Sequence, residues 1–195
     1  MEKIVLASNN KHKIKEIKDM LEGYEILSLN DIGYYDDIVE DGETFEENSL
    51  IKSQTIHEYL KEQGLEYIVI ADDTGLCVNS LDGAPGVYSA RYAGNHDDVE
   101  NRKKLQKELE GKEDRSAYFV CNVSIVYPDG SYKNFVGKTF GTITKDERGK
   151  TDFGYDCIFL SDDLKKTFGE ASEEEKNSVS HRSRAIMQLA EELKK

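Results

Sequence analysis

Two short apolar runs, KIVLA at residues 3–7 and YIVIA at residues 67–71, constrain the fold of this chain more than any other feature. Each is continuous, rich in β-branched residues and ends abruptly in polar ones, which is the pattern of a short buried strand. The first leads through Ser8-Asn9-Asn10 into a basic helical segment, KHKIKEIKDML, in which Ile14, Ile17 and Leu21 recur at helical spacing before Gly23 stops it. Residues 24–29 alternate like a second strand, and a polar, acidic loop covers 30–43. The strongest helix signal runs over 44–64. Thr44 and Glu47 make a capping box, Leu50, Ile51, Tyr59 and Leu60 form an apolar stripe, and Gly64 closes it. Beyond residue 71, Asp72-Asp73-Thr74-Gly75 has turn composition and 76–78 resume a short strand. The Gly-rich segment 80–96 reads as an ordered loop, and Asp97 or Asp98 caps a helix ending near Gly111. In 118–127, Phe119, Cys121, Val123, Ile125 and Tyr127 share one face. Pro128-Asp129-Gly130-Ser131 then turns the chain back into 132–144 as a hairpin. An amphipathic helix over about 179–193 presents Ile186, Leu189, Ala190 and Leu193 on one face. Strand–helix units followed by a long hairpin predict an α/β protein with a mixed sheet. A length of 195 residues suits one domain, 1–195.

Charge and cysteine usage exclude several functions. Lys and Arg total 26 against 39 Asp and Glu, a net charge of −13 that repels a phosphate backbone, so nucleic acid is not an expected partner. A small anion still fits wherever basic residues converge. Cys77, Cys121 and Cys157 lie far apart without a CxxC or Cys/His cluster, which argues for reduced thiols over a disulfide scaffold or a zinc site. The apolar start is too short for a signal peptide, and no run approaches the roughly 18 apolar residues of a membrane span. The expected setting is the cytoplasm, away from any membrane.

Four segments carry candidate chemistry. Strand, SNNKHK, then helix is a phosphate-site arrangement, because first-turn amides are unpaired and partly positive and Lys11 and Lys13 add full charges. The plainer alternative is that Asn9 or Asn10 caps a helix with a solvated basic face. No GxxxxGK[ST] loop is present. Asp72-Asp73 at the carboxyl end of an apolar strand sits where open α/β sheets bind ligands, and two adjacent acids need a divalent cation or backbone amides to offset their repulsion. Alternatively the pair simply opens a turn. Glu40 and Asp41 in the acidic loop are candidates for a second metal arm. Phe153-Gly154-Tyr155-Asp156 sets two aromatics beside a glycine, suited to stacking on a base or to packing in a core turn. Ser180-His181-Arg182 precedes the last helix and offers donors to a base edge or a phosphate, or merely a cap with exposed polar residues. Lys176, His12, His57 and His96 read as surface residues.

Together these segments are far more specific than any alone. LASNNKHK (6–13), TFEENSLIK (44–52), ADDTGLCVNSLDGAPGVYSARYAG (71–94), FGYDCIF (153–159) and SHRSRA (180–185) resemble, in order and over nearly the whole chain, the inosine triphosphate pyrophosphatase family. Two departures are visible: Cys157 stands where the family usually has Pro, and Thr74 replaces the commoner Ser. The resemblance implies an elongated α/β fold with a mixed twisted sheet, flanking helices and two lobes around a central cleft. It implies Mg²⁺-dependent hydrolysis of ITP, dITP and XTP to monophosphate and pyrophosphate, by a homodimer. Carried over by position, Ser8, Asn9, Asn10, Lys11, His12 and Lys13 hold the phosphates. Glu40 and Asp73 bind the metal, Asp73 is the base that activates water, and Thr74 lies on the substrate. Phe153, Gly154, Tyr155, Asp156, Lys176, His181 and Arg182 form the nucleotide and base site. Lys52 joins Lys13 as a stabiliser of the leaving pyrophosphate. A pyrophosphatase for another modified nucleotide would share the phosphate residues and differ at 153–156 and 181–182. A non-catalytic nucleotide sensor would not require Asp73 together with Glu40.

Overall fold

A computed structural model describes every residue from Met1 to Lys195. Its centre is a six-stranded sheet in the order β2-β1-β3-β4-β5-β6. The strands are β1 (Glu2–Leu6), β2 (Tyr24–Leu27), β3 (Ile68–Val78), β4 (Ser116–Val126), β5 (Tyr132–Ile143) and β6 (Phe159–Ser161). β1 runs parallel to β2 and β3, while β5 and β6 are antiparallel, so the sheet is mixed. The helices are α1 (Lys11–Met20), α2 (Phe45–Glu62), α3 (Asp98–Glu108), α4 (Glu173–Val179) and α5 (His181–Leu193). None is long and apolar enough to cross a membrane.

The chain divides into two compact units, one of residues 1–73, 122–136 and 185–195, the other of 74–121 and 137–184. β3, β4 and β5 each contribute residues to both. In the first unit, Val5, Ala7, Val69 and Ala71 of β1 and β3 and the residues that follow them pack on Ile56 and Leu60 of α2. The second unit buries Leu76 and Val78 with Leu105, Leu109, Phe119, Ile143, Phe159 and Phe168.

Local signals place most elements. Thr44 caps α2, its Oγ1 accepting the Glu47 N–H at 3.0 Å; Glu47 reaches back to the Glu43 N–H at 2.7 Å, one residue earlier than a strict capping box. Asp97 caps α3. The β4–β5 turn closes with the Gly130 N–H donating to the Tyr127 carbonyl, and Gly130 takes φ +86°, a conformation glycine adopts freely.

Several expectations change. Asp72-Asp73-Thr74-Gly75 is not a turn, because β3 runs unbroken through it for 11 residues. Its pairing with β1 ends at Ile70, and β4 on its other side carries the strand onward. The Gly-rich loop contains two 3₁₀ turns, Asn79–Leu81 and Gly86–Arg91. The helix expected over about 179–193 is α5, starting at His181, and a short helix that was not expected, α4, precedes it. Ser172 and Glu175 form a capping box for α4, and extended Ser180 breaks the run and restarts it as its Oγ accepts the Ser183 N–H at 3.1 Å. His57 is buried, against the surface placement expected of it.

Segment 148–150 anchors the second unit's site loop through Arg148 N–H to the Cys157 carbonyl and Lys150 N–H to the Gly169 carbonyl. Gly149 has φ +87°, and a Cβ there would meet the Gly169 carbonyl carbon at 2.2 Å and oxygen at 2.3 Å. Backbone cannot rotate away as a side chain can. Gly149→Ala is expected to destabilise the protein by about 2–4 kcal/mol, read as a lower urea midpoint at unchanged slope. An unshifted midpoint would contradict the close approach.

Candidate active site

The first unit gathers the charged candidates. Successive strand residues face opposite sides of a sheet, so Asp72 and Asp73 do not share a face. Val69, Ala71 and Asp73 alternate onto the α2 side, and Asp72 turns the other way. Asp72 is buried, and its carboxylate pairs with Lys13 Nζ of α1 at 3.0 Å. That ion pair offsets one of the two adjacent acids.

Asp73 is met differently. The Asn48 amide of α2 acts to lower its pKa, while Oδ2 is buried with no hydrogen-bond partner. Burial pushes the Asp73 pKa up to about 6, with Lys52 working against it and Glu40 adding to it. Lys52 lies one helical turn beyond Asn48, on the same face of α2. Its Nζ sits 3.0 Å from Glu40 Oε1 and also donates to the Asp72 backbone carbonyl. Burial alone would lower the Lys52 pKa, but Asp72, Glu40 and Asp73 together outweigh it and raise it, so the ammonium stays charged. A cavity of about 280 Å³ opens beside Ala7, Asn9, Glu40 and Lys52. A larger one, about 650 Å³ among Lys3, Tyr24, Tyr67 and Glu192, contains none of these residues and has no convergent catalytic set.

At residues 8–13 the structure shows a cap. Asn10 Oδ1 accepts the N–H groups of His12 at 2.9 Å and Lys13 at 3.2 Å, and Ser8 Oγ accepts the Asn10 N–H at 3.0 Å. Asn9 Oδ1 accepts the Asn30 N–H at 2.8 Å, tying this loop to the start of the acidic one. Two first-turn amides are thus committed to Asn10. Lys11 and His12 are exposed, and Lys13 points its charge to Asp72.

The second unit holds Thr74, which follows Asp73 on β3, and the aromatic and basic candidates. The two rings of Phe153-Gly154-Tyr155-Asp156 part company. Phe153 is 54% exposed, whereas Tyr155 is 6% exposed and donates its hydroxyl to the Ser89 carbonyl at 2.6 Å. The outward ring is the stacking candidate and the inward one is core. Gly154 between them has φ +53°. Lys176 is no ordinary surface lysine. Its Nζ lies 2.6 Å from the buried Asp156 carboxylate and 4.8 Å from the Phe153 ring centroid. Burial pushes the Asp156 carboxyl up, and Lys176 opposes that most, with help from Arg182. His181 and Arg182 open α5 rather than precede it, and the His181 imidazole stacks on Phe119 with centroids 5.0 Å apart.

Sequence reasoning missed Asn48 and Arg102. The Arg102 side chain, 4% exposed, donates to the Gly154 carbonyl at 2.7 Å and the Thr151 carbonyl at 3.3 Å and pairs with Glu147, holding the loop that presents Phe153. Asp98 accepts the Gly154 N–H at 3.0 Å from the other side. The spacing of Asn48 and Lys52, four apart on one helix, was a readable signal; Arg102 left none.

The Ham1 family model matches residues 4–192. A dITP/XTP pyrophosphatase of Clostridium perfringens is 48% identical over 100% of this chain and 98% of its own length. One from Bacillus licheniformis is 50% identical over 97% of each. The solved structure of the Staphylococcus aureus Ham1 protein superposes with a TM-score of 0.90 at 41% identity, covering 99% of this chain and 98% of that one. Likeness of this extent, in sequence and in fold, leaves no segment of the chain outside the match but its ends: the protein is a member of the Ham1 family.

Proposed function

We propose that this protein hydrolyses non-standard purine nucleoside triphosphates, ITP, dITP and XTP, to the nucleoside monophosphate and pyrophosphate, with Mg²⁺ as cofactor. The observation that carries the reading is Asp73, a half-buried carboxylate whose buried Oδ2 has no hydrogen-bond partner, near Asn48 and the Lys52–Glu40 ion pair. The names of the relatives support the substrate class.

The residues present fit a magnesium ion. Mg²⁺ is typically held by one or two carboxylates plus substrate phosphates and water rather than by an all-protein cage. Glu40 and Asp73 supply two carboxylates, Asp73 Oδ2 has no other partner, and no group of three or more His, Cys, Asp or Glu forms a closed site. Held by Glu40 and Asp73, the ion would neutralise phosphate charge and acidify water.

The chain's own groups account for the rest. Asp73, with a pKa of about 6, is ionised at neutral pH and able to accept the proton of the water that attacks the α-phosphorus. As the new P–O bond forms, the bond from the α-phosphorus to the bridging oxygen breaks and pyrophosphate departs. Lys52, kept charged by its acidic neighbours, and Lys13 stabilise its charge. In the second unit, Phe153 offers its face to the base. Asp156 fixes Lys176, and Lys176, His181 and Arg182 provide donors that suit a 6-oxo purine and mismatch the 6-amino group of ATP. Phosphorus NMR of a reaction with ITP and Mg²⁺ is expected to show pyrophosphate and IMP as the only products, with ATP a poor substrate. Accumulation of orthophosphate and IDP would overturn the assignment. The resemblance extends the reading to a homodimer, and sedimentation of a monomer would remove that part.

A further inference from the structure

Asn48 stands in the first turn of α2 and is only 3% exposed. A buried amide must place both its polar ends. Its Oδ1 accepts the Gly42 backbone N–H at 2.8 Å. A backbone N–H can only donate, so this bond settles which way the amide points: oxygen to Gly42, leaving the nitrogen as the end that can face the Asp73 carboxylate, whose pKa Asn48 lowers. One side chain thereby ties the loop two residues beyond Glu40 to the strand that carries Asp73. The fit is close. A Cβ on Gly42 would stand 2.8 Å from Asn48 Oδ1 and 2.8 Å from Glu47 Cβ. Lys52, on the same helix face, pairs with Glu40 at 3.0 Å. α2 therefore reaches both carboxylates, through Lys52 to one and Asn48 to the other.

We propose that Asn48 is a positioning residue that sets the spacing between Glu40 and Asp73 for a divalent cation. The inference rests on the reading of those two carboxylates as the metal-binding pair. A Leu or Ala at 48 would supply no oxygen to hold Gly42 and no amide to face the Asp73 carboxylate, so the pair would have to be ordered at the moment the ion binds. Groups that orient metal-binding side chains are typically worth about 10–100-fold in metal affinity or activity.

The test uses the full chain, stripped with chelator and titrated with MgCl₂, with two readings: the thermal melting shift without nucleotide, and pyrophosphate release from ITP. Asn48→Leu keeps the branched shape and removes the amide from both Gly42 and Asp73. Gly42→Ala disturbs the same contact from the loop side and leaves Asn48 in place. Both variants are expected to raise the Mg²⁺ concentration for half-maximal melting shift, by about tenfold or more for Asn48→Leu. The KM for ITP at saturating Mg²⁺ should stay near that of the unaltered protein. If either folded variant lowers the metal-free melting temperature yet keeps the original Mg²⁺ midpoint, Asn48 serves stability alone and the inference is overturned. Should Asn48→Leu not fold, Gly42→Ala decides by the same criterion. If the unaltered protein shows neither a Mg²⁺-dependent shift nor Mg²⁺-dependent release, the functional reading fails and takes this inference with it.

Discussion

Asp73→Asn is expected to lower kcat by about 100-fold or more while making the metal-free protein more stable at pH 8. The rate loss follows from removing a general base together with a ligand charge. The gain in stability follows from the raised carboxyl. Its pKa is about 6 in the folded chain against the ordinary aspartate value of 3.8. A folded pKa above the unfolded one means the folded protein holds its proton more tightly. The stabilising contribution of that proton is complete below the unfolded pKa and disappears as pH rises through about 6. Above that, folding must confine a half-buried anion, at a cost on the order of 1–3 kcal/mol. Asn is nearly isosteric and carries no such penalty. The difference in melting temperature, variant minus unaltered protein, should be near zero at pH 4 and clearly positive at pH 8 in chelator. Mg²⁺ should narrow it by stabilising only the unaltered protein. A folded variant within a few-fold of normal kcat would remove Asp73 from the chemistry, and an equal melting difference at both pH values would contradict its raised pKa.

Lys52→Met should cost kcat/KM for ITP about 10²–10³-fold, the usual scale for losing one preorganised charge at a site where negative charge develops. Three acids face this ammonium, and it is the largest influence holding the Asp73 pKa down. Without it the Asp73 carboxyl should titrate above its present value of about 6, and the acidic limb of the kcat profile should move to higher pH. Lys52→Arg restores charge but not the compact ammonium that reaches Glu40 and the Asp72 carbonyl at once, so its rescue should be incomplete. A pH–rate series across pH 5–9 reads both effects. If kcat/KM fell only a few-fold and the acidic limb stayed in place, Lys52 would be a structural counter-ion to Glu40 and the leaving-group role would pass to Lys13.

Much of this is legible in the sequence alone. The apolar runs at 3–7 and 67–71 are β1 and the first half of β3, and Thr44 and Asp97 begin the helices they were expected to begin. The turn at 128–131 joins β4 to β5. These features are legible because periodicity, caps and turn chemistry act over a few residues, and each is complete within the segment that shows it. The motifs themselves, read together, identify the family without any packing.

What the chain's own order does not determine is which side chain meets which. Asp72-Asp73 has turn composition, yet a strand crosses it because β4 supplies the hydrogen bonds that β1 no longer offers. Once it is a strand, alternation turns one acid toward Lys13 and the other toward Asn48, residues of two helices that lie far from it in sequence. Phe153 and Tyr155 are two residues apart and equally aromatic; only the Ser89 carbonyl and the core around it decide that Tyr155 goes in and Phe153 stays out. Lys176 sits in an acidic run that reads as solvent-exposed, and the partner that draws it in, Asp156, is 20 residues away. Local sequence thus determined the elements and the family. Tertiary structure alone decided how each buried charge is compensated, because in a low-dielectric interior that is set by which distant group the fold brings within about 3 Å.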